Sequence, residues 1–211
     1  MSKPLTAAGT GTDALDEARF VALVRLIGVL LFPLMMGLTG RVSLHLSIPI
    51  APFGIPLTLQ TLWVLLAALS IGPRFGSMSM LLYVLAGAVG VPVFAGGESG
   101  LLTVFGQTGG YLIGFLACPP VVAAIVRDPD GGVRGWGAMI VAVLAAHLVI
   151  FAFGVPWLYA VRLIDPRTPA ISFADAFHGG FVVFIVPMLI KAGIAVLIGR
   201  WVAPWASRRI W

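Results

Sequence analysis

Lys191 stands near the middle of FIVPMLIKAGIAVLIGRWV, residues 184–202, a run apolar enough to lie in lipid. A charged lysine at the centre of a membrane helix costs about 2.5–3.5 kcal/mol on insertion scales, and such residues generally face a bundle interior or a water-filled cavity and mark function. Asp13, Asp16, Glu17, Glu98, Asp128, Asp130, Asp165 and Asp175 are the acids of the chain, and all lie outside the apolar runs. No carboxylate therefore shares the lysine's depth. The lysine stem is too short to reach either end of the run, which excludes snorkelling. Three arrangements remain: the lysine is held uncharged, a loop acid such as Glu98 or Asp175 folds inward to meet it, or its counterion arrives as a ligand. The third is the reading adopted.

Other side chains carry less. His147 falls near the centre of another apolar run, where a lone neutral imidazole bonded between helices is the simplest expectation; a metal site would need partners that are absent. Cys118 is the sole cysteine, so it forms neither an intramolecular disulfide nor a thiolate cluster and reads as small packing. No P-loop, Gly-x-Gly-x-x-Gly, His-Glu-x-x-His or paired intramembrane carboxylates occur, so nothing points to catalysis or to nucleotide hydrolysis by this chain. An intramembrane enzyme using Lys191 and His147 is the distant alternative, and a channel lacks rings of charge or a repeated filter. Two stretches remain informative. Thr58, Gln60 and Thr61 open one apolar run and serve either a cavity or helix capping and interhelical bonding. In GQTGGYLIGF, Gly109 and Gly110 permit close approach and Tyr111 presents an aromatic face with a polar tip, while Gly110 and Gly114 form a small-xxx-small pair suited to helix packing.

The elements that must position these residues follow from composition. The 211 residues are 60% apolar and 10% charged, with a mean hydropathy of +1.06, whereas soluble domains carry about a quarter charged residues. Six apolar runs, 20–38, 57–71, 75–94, 109–126, 135–158 and 181–202, lack the alternation of barrel strands. Most approach the roughly 20 residues that a helix needs to cross the bilayer. The fold expected is all-α: a six-helix membrane domain over 20–204, an N-terminal tail over 1–19, with a short amphipathic lead into the first span as the alternative, and a basic tail over 205–211. The second run is short, so it is assisted by its flanks or partly re-entrant. With six spans, Lys3, Arg19, Arg25, Arg74, Arg127, Arg134, Arg200, Arg208 and Arg209 share one side, against Arg41, Arg162 and Arg167 on the other. The positive-inside rule then places both termini in the cytoplasm. The connection GPR between the second and third runs is minimal, whereas the outward loops 39–56, 95–108 and 157–180 are long and are expected to fold over the outer mouth. The sequence pI of about 10.1 reflects topology and anionic lipid headgroups, not a nucleic-acid partner.

Residues 41–115 resemble the BioY family, the biotin-binding S components of energy-coupling-factor transporters. PLTLQTLWVLLAALSIGPRFG, LLYVLAGAVGVPVFAGG and GQTGGYLIGF carry the likeness in order and spacing, and FGVPWL and LIKAGIAVLI resemble the later part of the pattern. The resemblance implies six spans, cytoplasmic termini, a place in the bacterial cytoplasmic membrane and a biotin site near the outer surface. It implies no cofactor, and as partners a transmembrane coupling protein and two ATPase subunits. Lys191 occupies the position of the family's biotin-contacting lysine; Gly109, Gly110 and Tyr111 fall on its signature loop, and Thr58 and Gln60 belong to its TLQT motif. Phe94 is counted among the aromatic walls. Where the family commonly has an acid three residues before the lysine, this chain has Met188, which cannot accept the bond an aspartate would, so Gln107 or Glu98 takes over or the ligand's pose differs. The departure also keeps open an S component for another small vitamin. On the first span, Ala18 and Ala22 have AxxxA spacing but lie nearer the N-terminus than the family's docking motif.

Overall fold

The computed structural model describes residues 11–41 and 57–211. Most of the expected loop 39–56, with its IPIAPFGIP stretch, and the first ten residues of the tail lie outside the described residues. The elements are α1 (Gly11–Arg41), α2 (Gln60–Ala88), a 3-10 turn (Ala95–Gly97), α3 (Leu101–Val104), α4 (Gly109–Val126), α5 (Trp136–Ile164), α6 (Phe173–Gly180), a 3-10 turn (Val182–Phe184) and α7 (Ile185–Arg209). Among the described residues the only extended pairing is the bridge between Arg127 and Val133. Five helical stretches, Asp13–Arg41, Gln60–Ala88, Gly109–Val126, Trp136–Ile164 and Phe173–Arg209, are long and apolar enough to cross a membrane.

The two runs expected as spans joined by GPR form one assigned helix, α2, interrupted at Gly72 (φ 77°, ψ −171°) and followed by Pro73. That backbone favours glycine. The interruption is a reversal. Gln60 Nε2 donates to the hydroxyl of Tyr83, 23 residues on, whereas 23 residues of straight helix would separate them by about 34 Å. The two arms, 60–71 and 73–88, therefore run back along one another, and the shortness of the first is matched by its depth: Val64, Leu65, Ala67, Ala68 and Leu69 have no exposed surface. It is wrapped by the rest of the bundle and needs little lipid.

Three other boundaries move. α1 begins at Gly11, so residues 11–19 of the expected tail are helix; Asp13 in its first turn suits the positive end of the helix dipole. Similarly, α7 runs on through Arg209. The expected loop 157–180 is largely helical, because α5 continues to Ile164 and α6 forms behind a capping box in which Ser172 Oγ accepts from Asp175 N and Asp175 accepts from Ser172 N.

Prolines inside membrane helices orphan carbonyls, and serines of α2 answer two of them. Pro120 leaves the Leu116 carbonyl without its helical donor, and Ser77 Oγ donates to it at 2.9 Å. Pro33 does the same to Val29, whose carbonyl accepts from Ser79 Oγ at 3.2 Å. Glycines set the helix separations: a Cβ on Gly114 would lie 2.6 Å from Ile150 Cα, and one on Gly110 would meet the Phe153 carbonyl and the Trp157 side chain. The small-xxx-small pair thus packs α4 on α5. Ala18 and Ala22, by contrast, are exposed on α1. Farther along α1, Arg25 Nε donates to the Ile210 carbonyl at 2.8 Å and its guanidinium lies 4.8 Å from the Phe75 ring centre. At the same end Trp211 lies against Gly72, where a Cβ would fall 2.5 Å from its ring.

Candidate ligand-binding site

A narrow cavity opens where α2, α4, α5 and α7 converge at the end of the bundle opposite Gly72. Its polar lining is Thr58, Gln60, Thr61, Thr108 and Lys191, and its walls include Tyr83, Phe94, Tyr111, Phe115, Phe151 and Phe184.

Lys191 is 7% exposed. Its ammonium donates to the backbone carbonyl of Thr58 at 3.2 Å, a carbonyl left available because the chain has not yet entered helix there. The loop acids are occupied elsewhere: Glu98 accepts from Thr103 Oγ1 at 3.4 Å, and Asp175 is held by Ser172, whose hydroxyl donates to it at 2.6 Å. Neither acid lies in the cavity lining, and each accepts from a hydroxyl close in sequence. An ammonium carries three donors. Among the described residues one is used, which leaves two for an acceptor in the cavity.

Around it the hydrogen bonds run as a chain. Thr58 Oγ1 donates to Gln60 Oε1 at 3.0 Å, Gln60 Nε2 to the Tyr83 hydroxyl, and that hydroxyl to the Val93 carbonyl at 3.1 Å. The TLQT stretch thereby ties the segment under Lys191 to the segment carrying Phe94. Phe94, 3% exposed, stands edge-on to Tyr83 with ring centres 5.5 Å apart and covers Gly87, which has no room for a side chain. Thr61 also lines the cavity, and its Oγ1 is buried without a hydrogen-bond partner. On the opposite wall the Tyr111 hydroxyl donates to the Gly180 carbonyl at 2.8 Å, its ring packs on Gly154, and Phe151 meets it edge-on at 6.1 Å. Phe151 in turn contacts Phe181 and Phe184, with ring centres 5.0 and 5.9 Å away.

Of the residues singled out in the sequence, Lys191, Thr58, Gln60, Phe94 and Tyr111 are brought together on the cavity wall. Gly109, Gly110, Gln107 and Met188 are not part of its lining. The two glycines instead let α4 approach Trp157, whose indole donates to the Gly106 carbonyl at 2.8 Å. Gln107 has a buried Oε1 with no hydrogen-bond partner among the described residues. Met188 is buried one turn before Lys191. His147 is fully buried, but its Nδ1 bonds the Val143 carbonyl one turn back in α5 at 2.9 Å, so the bond is within a helix and not between helices as expected; Nε2 has no partner. Sequence reasoning missed Tyr83, Phe115, Ile150, Phe151 and Phe184. An aromatic residue within an apolar run carries no mark of the side it faces.

An aromatic box with a lysine and a few hydroxyls at its polar wall suits a small solute with an apolar body and hydrogen-bonding ends. The fold and site thus define a polytopic helical membrane protein that takes up such a solute in its interior. Residues 13–208 match the model of the BioY family, and the chain belongs to that family. It is 38% identical over 172 residues to the "Probable biotin transporter BioY" of Pyrococcus horikoshii, covering 82% of this chain and 93% of that protein. It is also 32% identical over 157 residues to the "Biotin transporter BioY" of Thermotoga maritima, covering 74% and 85%. Among solved structures, "the S-component for biotin from an ECF-type ABC transporter" superposes with a TM-score of 0.64 over 92% of this chain and 94% of that one, at 23% identity, and shares the fold. The chain is a multi-pass protein of the cytoplasmic membrane.

Proposed function

We propose that this chain captures biotin as the substrate-binding S component of an energy-coupling-factor transporter, with Lys191 as its central ligand contact. The observation that carries the reading is a buried ammonium that, among the described residues, bonds a single backbone carbonyl on the wall of an aromatic cavity. Burying a cation is costly unless it is paired, and a solute bearing a carboxylate and a ureido carbonyl supplies acceptors. Biotin's apolar rings and chain lie against Phe94, Tyr111, Phe115 and Phe151. Thr58 and Gln60 serve its polar ends, Gly109 and Gly110 set the position of the Tyr111 helix, and Met188 borders the lysine.

The reversal at Gly72 makes two crossings of α2. With α1, α4, α5 and α7 this gives six, both termini cytoplasmic, as the distribution of arginines requires. The membrane domain corresponds to 20–204, flanked by short cytoplasmic ends at 1–19 and 205–211. The chain carries no catalytic step and no cofactor; a transmembrane coupling protein and two ATPase subunits drive release inward.

A second reading, an S component for a different small vitamin, is favoured by one observation, Met188 in place of an acceptor. Calorimetry of the purified chain with biotin, and competition by riboflavin, thiamine and pantothenate, separates the two. Selective biotin binding supports the first. Displacement of biotin by another of these vitamins, or no biotin binding at all, moves the assignment to the second.

A further inference from the structure

At the end of the bundle opposite the cavity, the turn after α4 folds back on itself. Arg127 bridges Val133, Asp128 N donates to the Gly132 carbonyl at 3.0 Å, and Arg134 N donates to the Val126 carbonyl at 2.9 Å. Gly131, at φ 78°, closes the turn. The fold-back brings Arg127 and Arg134 into the lining of one open cleft. Its floor is Pro73 from the reversal of α2 and Pro120, Ala123 and Ala124 from α4. Arg134 Nη1 donates to the Ile125 carbonyl at 3.1 Å, which holds the exposed guanidinium at the cleft and uses one of its five donors. Two further exposed cations stand beside the cleft: Arg74 follows Pro73, and the Arg208 guanidinium lies 3.7 Å from where a Gly132 Cβ would be. None of these four arginines has a carboxylate partner among the described residues. Asp128 is the only acid in the lining.

We infer that this cleft binds the headgroup of an anionic phospholipid. Basic pockets between membrane helices recognise phosphate in this way, and guanidinium forks match phosphate oxygens in pairs. The apolar floor discriminates against a free anion: it offers Pro120, Ala123 and Ala124 to the glycerol backbone and first acyl carbons, and nothing polar to water. Asp128 selects further. It repels a second negative charge and accepts hydrogen bonds, so a headgroup with one phosphate and free hydroxyls, as in phosphatidylglycerol, fits the cleft best.

The test is lipid retention by the whole chain, released from nanodiscs containing equal phosphatidylglycerol and phosphatidylcholine and weighed by native mass spectrometry. Wild type is expected to retain phosphatidylglycerol preferentially, with the preference falling roughly fivefold for each arginine removed in Arg127→Gln and Arg134→Gln. Asp128→Asn is expected to narrow the gap between phosphatidylglycerol and phosphatidic acid. Thermal unfolding in phosphatidylcholine alone, unchanged between wild type and the double variant, shows that the fold survives substitution. Equal retention of the two lipids by wild type, or a preference that persists in the double variant, overturns the inference. Displacement of the lipid by millimolar inorganic phosphate assigns the cleft to a free anion instead. If lipids bind without preference while the double variant fails to assemble with a coupling protein, the cleft is a protein-docking surface.

Discussion

The two ends of the bundle treat positive charge in opposite ways. At the cavity end Lys191 is buried, held by one backbone carbonyl and surrounded by aromatic rings. At the far end Arg74, Arg127, Arg134, Arg208 and Arg209 are exposed, and half-buried Arg200 stacks over exposed Trp136 with its guanidinium 5.4 Å from the ring centre. The same formal charge has different costs in the two places. Where water and headgroups reach, a cation is solvated and its position is loosely constrained. At cavity depth a cation without a full set of acceptors is a standing cost, and such a residue persists where something that visits the site offsets it.

Removing the buried cation is the largest perturbation of this contrast. Lys191→Ala is expected to weaken biotin binding by about 1.5–3 kcal/mol, the range for hydrogen bonds to charged groups, read by calorimetry. Affinity equal to wild type would mean that the Thr58 carbonyl alone satisfies the lysine. Next come the glycines. Gly114→Ala places a Cβ against the Ile150 backbone, which has no room to yield, whereas Gly137, near the start of α5 at the arginine end, has nothing within 4 Å. The first substitution should destabilise by about 1–3 kcal/mol and the second should be neutral or stabilise by up to about 1 kcal/mol; comparable melting temperatures would erase the difference in packing between the two ends. A smaller effect, about 1 kcal/mol, is expected when Ser79→Ala strips the Val29 carbonyl of its donor, visible as a lowered unfolding temperature. If Ser79→Ala melts with wild type, that bond is dispensable.

The smallest effect sharpens the contrast within the cavity end itself. Asp165, half-buried, and exposed Arg167 form a surface pair there, with Arg167 Nε and Nη2 donating to the carboxylate at 2.8 and 2.9 Å. These bonds and the guanidinium charge lower the Asp165 carboxyl to about 2. Because the folded value lies below the unfolded one, the pair's contribution is present above about pH 4 and fades as pH falls through about 2. Arg167→Gln should therefore melt slightly below wild type at pH 6 and together with it near pH 2. A gap that widens on acidification would contradict this.

Much of the fold was legible because lipid enforces it: long apolar runs can cross only as helices or closed barrels. The Gly-Pro step foretold a break in α2, though not that helix would close up to it on both sides. α6 was legible in retrospect, since Ser172 and Asp175 have capping-box spacing, but the polar stretch 165–172 reads as an ordinary loop. In the site, Lys191 and the TLQT stretch announced themselves as polar groups in apolar runs. Phe151 and Phe184 did not, because their contribution depends on which way a helix is rotated. Nor did spacing reveal that Glu98 accepts from Thr103.

The bonds from Ser77 and Ser79 to the carbonyls freed by Pro120 and Pro33 carry a consequence for descent. Each proline and its serine lie on different helices, so a change at one is felt by the other, and losing a serine while keeping its proline leaves an unpaired carbonyl in lipid. In relatives of this chain the members of each couple should be inherited and exchanged together. Sequences with a non-proline at position 33 should be free to carry alanine at position 79, and those that keep Pro33 should hold on to a hydroxyl there.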